Sequence, residues 1–177
     1  MVYYLLSFTA ELENLTDLQP VGGCDDPTYT YYLKVKCERC GEISPKEACV
    51  TLSEEVPLPT KVGTAHLVQK CKLCGRDGNI QMIAGQGRPL TLEQSQKEEY
   101  SNLMVFDSRG FELTGFSFAD AWKAESLTGT TYDIDLSTGE FADYDEKGEY
   151  PVGVSNVRYK FSVVKKQHRR GGKDTFI

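Results

Sequence analysis

The sequence predicts a mainly β protein, an antiparallel β-sandwich or barrel-like fold, and three observations carry that reading. Strand-like runs recur along nearly the whole length, and several alternate in residue type. The 177 residues include ten Tyr and eight Phe, side chains that favour strands. Two copies of one phrase each follow such a run: Lys36-Cys37-Glu38-Arg39-Cys40-Gly41 and Lys70-Cys71-Lys72-Leu73-Cys74-Gly75.

The elements follow in order. Tyr3–Leu12 is the first strand: it looks apolar but lacks the basic start of a secretion signal and runs into Glu11 and Glu13. Tyr29–Lys36 comes next, with Tyr32, Lys34 and Lys36 on one face and Tyr31, Leu33 and Val35 on the other. Cys49–Leu52, His66–Lys70 and Asn79–Ala84 complete the first half. Gly85–Tyr100 reads as a bridge, and within it Thr91–Glu99 is the one helix-friendly stretch, short, with Thr91 as cap. Leu103–Asp107, Glu112–Phe116, Thr131–Leu136 and Val154–Val164 make the second half. The expected organisation is one compact β unit over residues 1–164, with a half at about 1–88 and another at about 100–164. A basic tail over 165–177 reads as disordered. Echoes between the halves, such as Leu15-x-x-Leu18 against Leu113-x-x-Phe116, suggest two related β-halves of which only the first carries the cysteine phrases.

Charge excludes some partners. The net charge is −6, yet the tail holds Lys165, Lys166, Arg169, Arg170 and Lys173 against Asp174 alone, so residues 1–164 carry a net −10. A body this acidic repels phosphate backbones, which argues against nucleic acid. No segment reaches the ~18–20 apolar residues that span a bilayer. The expected setting is a reducing one, cytoplasmic and also nuclear, with a monomer that meets an unidentified protein partner. There, Asn14-Leu15-Thr16 is an unused sequon and paired cysteines signal metal rather than disulfide.

A Cys-x-x-Cys-Gly hook bends backbone N–H groups toward sulfur, and the glycine tolerates the positive φ of that bend. Two hooks supply four thiolates, the set that a closed tetrahedral zinc site needs, so Cys37, Cys40, Cys71 and Cys74 are the candidate ligands of one structural Zn²⁺. Lys36, Arg39, Lys70, Lys72 and Arg76 stand near enough in sequence to offset the −2 charge of such a centre. The thirty-residue spacer, Gly41 to Lys70, exceeds that of a free-standing finger. The hooks should therefore join two hairpins of a larger sheet, a zinc-knuckle pair in the N-terminal half. A thioredoxin-type dithiol is the weaker rival, because neither hook precedes a helical pattern.

Other residues read more plainly. Cys24 and Cys49 are free thiols, and His66 is an ordinary strand histidine that could in principle replace a thiolate. Asp143–Gly148 resembles a calcium loop but lacks its full ligand set, which leaves a solvated acidic turn or a docking surface for a basic partner. Arg109 could staple its turn by pairing with Asp107 or Glu112. Trp122 is a core or rim anchor. There is no Ser/His/Asp set, nucleotide fingerprint or P-loop, and Gly85-Gln86-Gly87 opens no helix, so no catalytic residues are assigned. The basic tail reads as a solubilising end, an import signal or a contact for acidic surfaces.

The hooks and their context resemble the eukaryotic CXXC-motif-containing zinc-binding protein family. The resemblance runs from about Phe8 to Val164. It includes Ala10–Thr16 with Gln19-Pro20, Tyr32–Lys36, Cys37–Ser44 and, most specifically, Val68–Cys74. It extends to Phe106 with Arg109-Gly110, Tyr132–Leu136 and Asp143–Lys147, and departs at the tail and near Gly23–Thr28. It implies a mostly β, zinc-containing protein with Cys37, Cys40, Cys71 and Cys74 as ligands, and it implies no enzymatic activity. The function expected is a non-enzymatic interaction module built on that zinc site. Metal handling of zinc or copper through the hooks is the alternative, and thiol–disulfide chemistry the weaker one.

Overall fold

The computed structural model describes residues 1–177. The strands in chain order are β1 (Val2–Glu13), β2 (Leu15–Pro20), β3 (Tyr31–Cys37), β4 (Ala48–Val50), β5 (Val56–Pro57), β6 (Thr64–Ala65), β7 (Leu67–Lys70) and β8 (Asp77–Ile83). A short helix, α1 (Leu92–Gln96), follows. Then come β9 (Ser101–Arg109), β10 (Phe111–Ser117), β11 (Trp122–Ser126), β12 (Thr131–Ile134), β13 (Phe141–Asp145), β14 (Tyr150–Val164), β15 (Lys166–Gln167) and β16 (Thr175–Phe176). Every pairing is antiparallel.

The largest sheet has the order β13-β14-β1-β9-β8-β7, and two three-stranded sheets, β10-β3-β4 and β12-β11-β2, face it. Each of these three sheets takes strands from both sequence halves. β1 is the organising strand. Tyr3 pairs with Val164 on one side and with Asp107 on the other, and bulges near Leu6/Ser7 and Thr9/Glu11 curl the sheet. At Asn14, φ is +53°, a left-handed corner that asparagine tolerates, and there the chain leaves the sheet for β2.

Leu6, Phe8 and Ala10 are buried on one face of β1, as alternation requires, but Ser7 and Thr9 are buried on the other. The helix segment covers that second face. Thr9 Oγ1 donates to the Glu99 carbonyl at 2.8 Å. Ser95 Oγ donates to the Ala10 carbonyl at 2.7 Å and accepts from Leu12 N–H at 3.0 Å. The helix itself forms as its sequence predicts, with Thr91 and Gln94 closing a reciprocal capping box.

The core is a chain of aromatic rings between the sheets. Trp122 is fully buried, 5.3 Å from Phe8 and 5.8 Å from Tyr29, and its indole N–H donates to the Phe118 carbonyl at 2.8 Å. Tyr31 then links Tyr29, at 4.9 Å, to Phe106, at 5.6 Å. Trp122 is thus a core anchor, and its strand β11 sits between β12 and β2.

Two expectations need correction. The tail is not disordered: β15 and β16 form a hairpin, closed by Lys165 N–H to Ile177 O at 2.9 Å and Ile177 N–H to Lys165 O at 3.0 Å. The lone acid of the block, Asp174, takes Lys166 at 3.3 Å and His168 Nδ1 at 2.8 Å, and the Phe176 ring lies 5.3 Å from Tyr3, so an apolar anchor and two contacts of one carboxylate hold the basic segment. Arg109 pairs with neither Asp107 nor Glu112; its guanidinium lies 3.4 Å from the Met1 sulfur.

Candidate metal centre

The first hook closes the end of β3, and the second is the turn of the β7–β8 hairpin. The two are built alike, atom for atom. In the first, Gly41 N–H donates to the Cys37 carbonyl at 2.9 Å and Cys37 N–H donates to the Glu42 carbonyl at 2.8 Å. In the second, Gly75 N–H donates to the Cys71 carbonyl at 2.9 Å and Cys71 N–H donates to the Arg76 carbonyl at 2.9 Å. Gly41 has φ +78° and Gly75 has φ +74°, so both glycines take the left-handed turn that a β-carbon would strain.

Three links set the hooks face to face. Glu38 N–H donates to the Gly110 carbonyl at 3.1 Å, which ties the first hook to the β9–β10 turn. That turn lies directly on the second hairpin: a β-carbon on Gly110 would come within 2.9 Å of the Asp77 carbonyl oxygen. A β-carbon on Gly78 would sit 2.2 Å from the Phe111 ring, and Phe111 pairs with Cys37. Gln69 Nε2 also donates to Ser44 Oγ at 2.8 Å across the gap.

The result is a cluster of four sulfurs whose atoms all lie within 4.8 Å of one another: Cys37, Cys40, Cys71 and Cys74. Cys37 and Cys74 are 3.7 Å apart, and Cys40 and Cys71 3.6 Å. Four thiolates at the usual zinc–sulfur distance of ~2.3 Å form a tetrahedron with edges of about 3.8 Å, so the donor set fits zinc. These separations also exceed a disulfide bond, and all four thiols are free. Cys37 and Cys71, the first of each pair, are buried, while Cys40 and Cys74 reach the surface.

The electrostatics repeat the symmetry. The Cys37 thiol is pulled down to about 6, chiefly by the Cys40 backbone N–H, with the Arg39 N–H adding to it. Cys71 is lowered in the same way, first by the Cys74 N–H and then by the Leu73 N–H. At Cys40 the Glu42 N–H pulls down, but desolvation and the neighbouring sulfurs outweigh it and push that thiol up to about 12. Four sulfurs this close cannot all ionise without a cation between them. Of the five flanking cations, Lys36 is half-buried and the other four are exposed, and only Lys70 makes an ion pair, with Asp77 at 4.0 Å.

The remaining candidates lie elsewhere. His66 lies in the bend between β6 and β7 rather than in the strand expected to begin at it; its Nδ1 accepts the Met82 N–H at 2.9 Å, and it stands outside the sulfur cluster. Cys24 is half-buried, and burial pushes its thiol up to about 11; Cys49 is exposed on β4. Asp145, in the calcium-like turn, is buried and already engaged: its carboxylate accepts from Thr128 Oγ1 and from Lys147 N–H at 3.1 Å. Gly78, Gly110 and Phe111 position the site without touching sulfur, and sequence reasoning passes over the first and last of them. Their one local signal is that glycine sits where a strand side chain would be expected.

The chain is similar to named relatives over most of their length. A Xenopus laevis protein named CXXC motif containing zinc binding protein is 38% identical over 92% of this chain and 99% of its own. The Homo sapiens protein of that name is 37% identical over 88% and 95%. The crystal structure of C1orf123 superposes with a TM-score of 0.80 at 36% identity, covering 91% of this chain and 99% of that one. A hypothetical protein from Plasmodium falciparum shares the fold, with a TM-score of 0.77 at 22% identity over 92% and 100%. With four sulfurs at zinc-binding separations, relatives that align end to end, and a match over residues 5–162, the chain belongs to the family described as CXXC motif containing zinc binding protein, eukaryotic.

Proposed function

We propose that this chain is a non-enzymatic interaction module, stabilised by one structural zinc ion that Cys37, Cys40, Cys71 and Cys74 hold. One observation carries the reading: four sulfurs from two separate hooks lie within 4.8 Å of one another, the number that a closed tetrahedral zinc site takes. Catalytic zinc keeps a position open for water or substrate, and four thiolates leave none. Bound there, the ion would supply charge neutralisation and a cross-link between hairpins. The hook amides spread the negative charge of sulfur, and the Gly110 carbonyl holds the first hook against the second. Zinc binding at such sites is worth about 10–16 kcal/mol in small peptides, enough to fix the loops that carry it. The partner on this reading is a protein, because the body of the chain, at net −10, repels nucleic acid.

Metal analysis of Cys71→Ser tests the structural role. We expect loss of stoichiometric zinc and a lowered melting temperature; an unchanged melting temperature contradicts a structural ion. Native capture from cells tests the interaction role, and repeated absence of any partner counts against it.

A second reading, metal delivery or buffering, draws on the exposure of Cys40 and Cys74, which gives the centre a solvent-facing side. Soft thiolates suit Cu(I) as well as zinc. Zinc that stays bound against a strong chelator and does not pass to an acceptor removes this reading.

A further inference from the structure

β14 is the longest strand, and half of one edge has no partner. Along Tyr150–Val154 it pairs outward with β13, which ends there. From Ser155 to Val163 it pairs only inward, with β1, and none of the turn and loop hydrogen bonds of the chain reaches its outer edge. Proteins usually cover so long an edge or blunt it, because its free N–H and C=O groups template pairing with another strand.

The two faces of this edge differ. Tyr159 and Phe161 lie on one, beside Phe116 at 5.8 Å and Tyr4 at 6.5 Å. Val163 shares that face and is 70% exposed, and Tyr159 is 37% exposed. Arg158 and Lys160 lie on the other; Arg158 Nε donates to the Asn156 carbonyl at 3.3 Å and Lys160 Nζ stands 4.3 Å over the Tyr100 ring, and neither cation is in an ion pair. No Asp or Glu occurs between Pro151 and Lys173, in a chain of net charge −6. At the Asn156 end of the edge, Glu11 accepts from Asn156 and Ser155. An acidic partner is repelled there, which leaves Val157–Val163 as the receptive stretch.

Charge selects the occupant. A second copy paired edge to edge would set Arg158 and Lys160 against the same cations, and like charges directly opposite destabilise a sheet. The tail of this chain folds back on Tyr3 and is itself basic. An extended acidic segment has neither defect. We propose that Val157–Val163 is a docking edge that adds an acidic, alternating segment of another protein to the sheet, in line with β13. Carboxylates of that segment would meet Arg158 and Lys160, and β-branched or aromatic side chains would cover Tyr159 and Phe161. This deepens the interaction-module reading and rests on it.

The test uses the intact zinc-loaded chain and a fluorescein-labelled peptide as long as this edge, alternating glutamate with valine. Binding is read by polarisation beside a lysine-for-glutamate control. The expected result is saturable binding of the glutamate peptide that fades in ~1 M salt, where the Debye length is ~3 Å. Arg158→Glu combined with Lys160→Glu should weaken it at least about tenfold, and binding should slow amide exchange at alternate residues of 157–163. If the two cations only guard the edge against aggregation, neither peptide binds, and the inference falls. Binding with protection on another strand also overturns it. Capture of cellular partners that is unchanged by the double charge reversal overturns the edge and leaves the interaction module standing.

Discussion

Gly78 has room for a hydrogen atom and little else: the Phe111 ring occupies the place of its β-carbon, 2.2 Å away. Phe111 is buried and pairs with Cys37, so adding one methyl group at Gly78 pushes on the strand that carries Cys37. Overpacking of this kind costs about 1–3 kcal/mol. We expect Gly78→Ala to lower the melting temperature by several degrees and to weaken zinc retention against a chelator, both measured on metal-loaded protein. An unchanged chelator titration would show that the ring relaxes without moving Cys37. The cluster of four cysteines was legible in the sequence because cysteine spacing within a hook is a local property, set by one turn. Gly78 was not, because the ring that excludes a side chain there arrives from β10, a strand of another sheet. His66 was read as a strand residue, but it sits in the bend just before β7, where the Met82 amide occupies its Nδ1.

Asp145 shows the same limit one level up, in a pair of hairpin turns. It ends β13 and accepts from Thr128, in the β11–β12 turn, so its carboxylate ties two sheets together beside the Tyr132 hydroxyl, which donates to the Tyr144 carbonyl at 3.4 Å. That hydroxyl is the largest cause that holds its pKa down, at about 2 against an ordinary 3.8. The folded value lies below the unfolded one, so the carboxylate stabilises the fold fully above about pH 4 and loses that contribution as pH falls toward 2. Melting curves should therefore drop more steeply from pH 4 to 2 for the parent chain than for Asp145→Asn; parallel curves would remove the link. The strands with alternating apolar and polar residues, β1, β3, β9, β10 and β14, were legible as elements. β2, β11 and β13 were not: Leu15–Pro20 and Trp122–Ser126 were not assigned as strands, Asp143-Tyr144-Asp145 reads as an acidic turn, and only their pairing marks them as strands. The tail hairpin escaped for a related reason, because a run of cations hides the single acid and the terminal Phe176 that fold it.

At the level of the molecule, the halves that the sequence suggests share their sheets. β14 and β9 flank β1, β10 pairs with β3, and β11 pairs with β2. Neither half keeps its hydrogen-bonding partners without the other, so we expect a single calorimetric transition, shifted as a whole by zinc removal. Two resolved transitions, or a folded fragment of residues 100–164, would contradict this. The mainly β class was legible from composition and alternation, but which strands neighbour which was not, because no local pattern records pairing over such distances. The place of β1 between β9 and β14 also bears on how the chain is made. At about 5–20 residues per second, a ribosome needs roughly ten to thirty seconds to deliver Val164 after Tyr3. Until β9 emerges, about two-thirds of the way through that interval, Leu6 and Phe8 have no strand to lie against, and the β14 side of β1 stays open to the end, while the two cysteine hooks, only a few seconds apart in synthesis, can already meet.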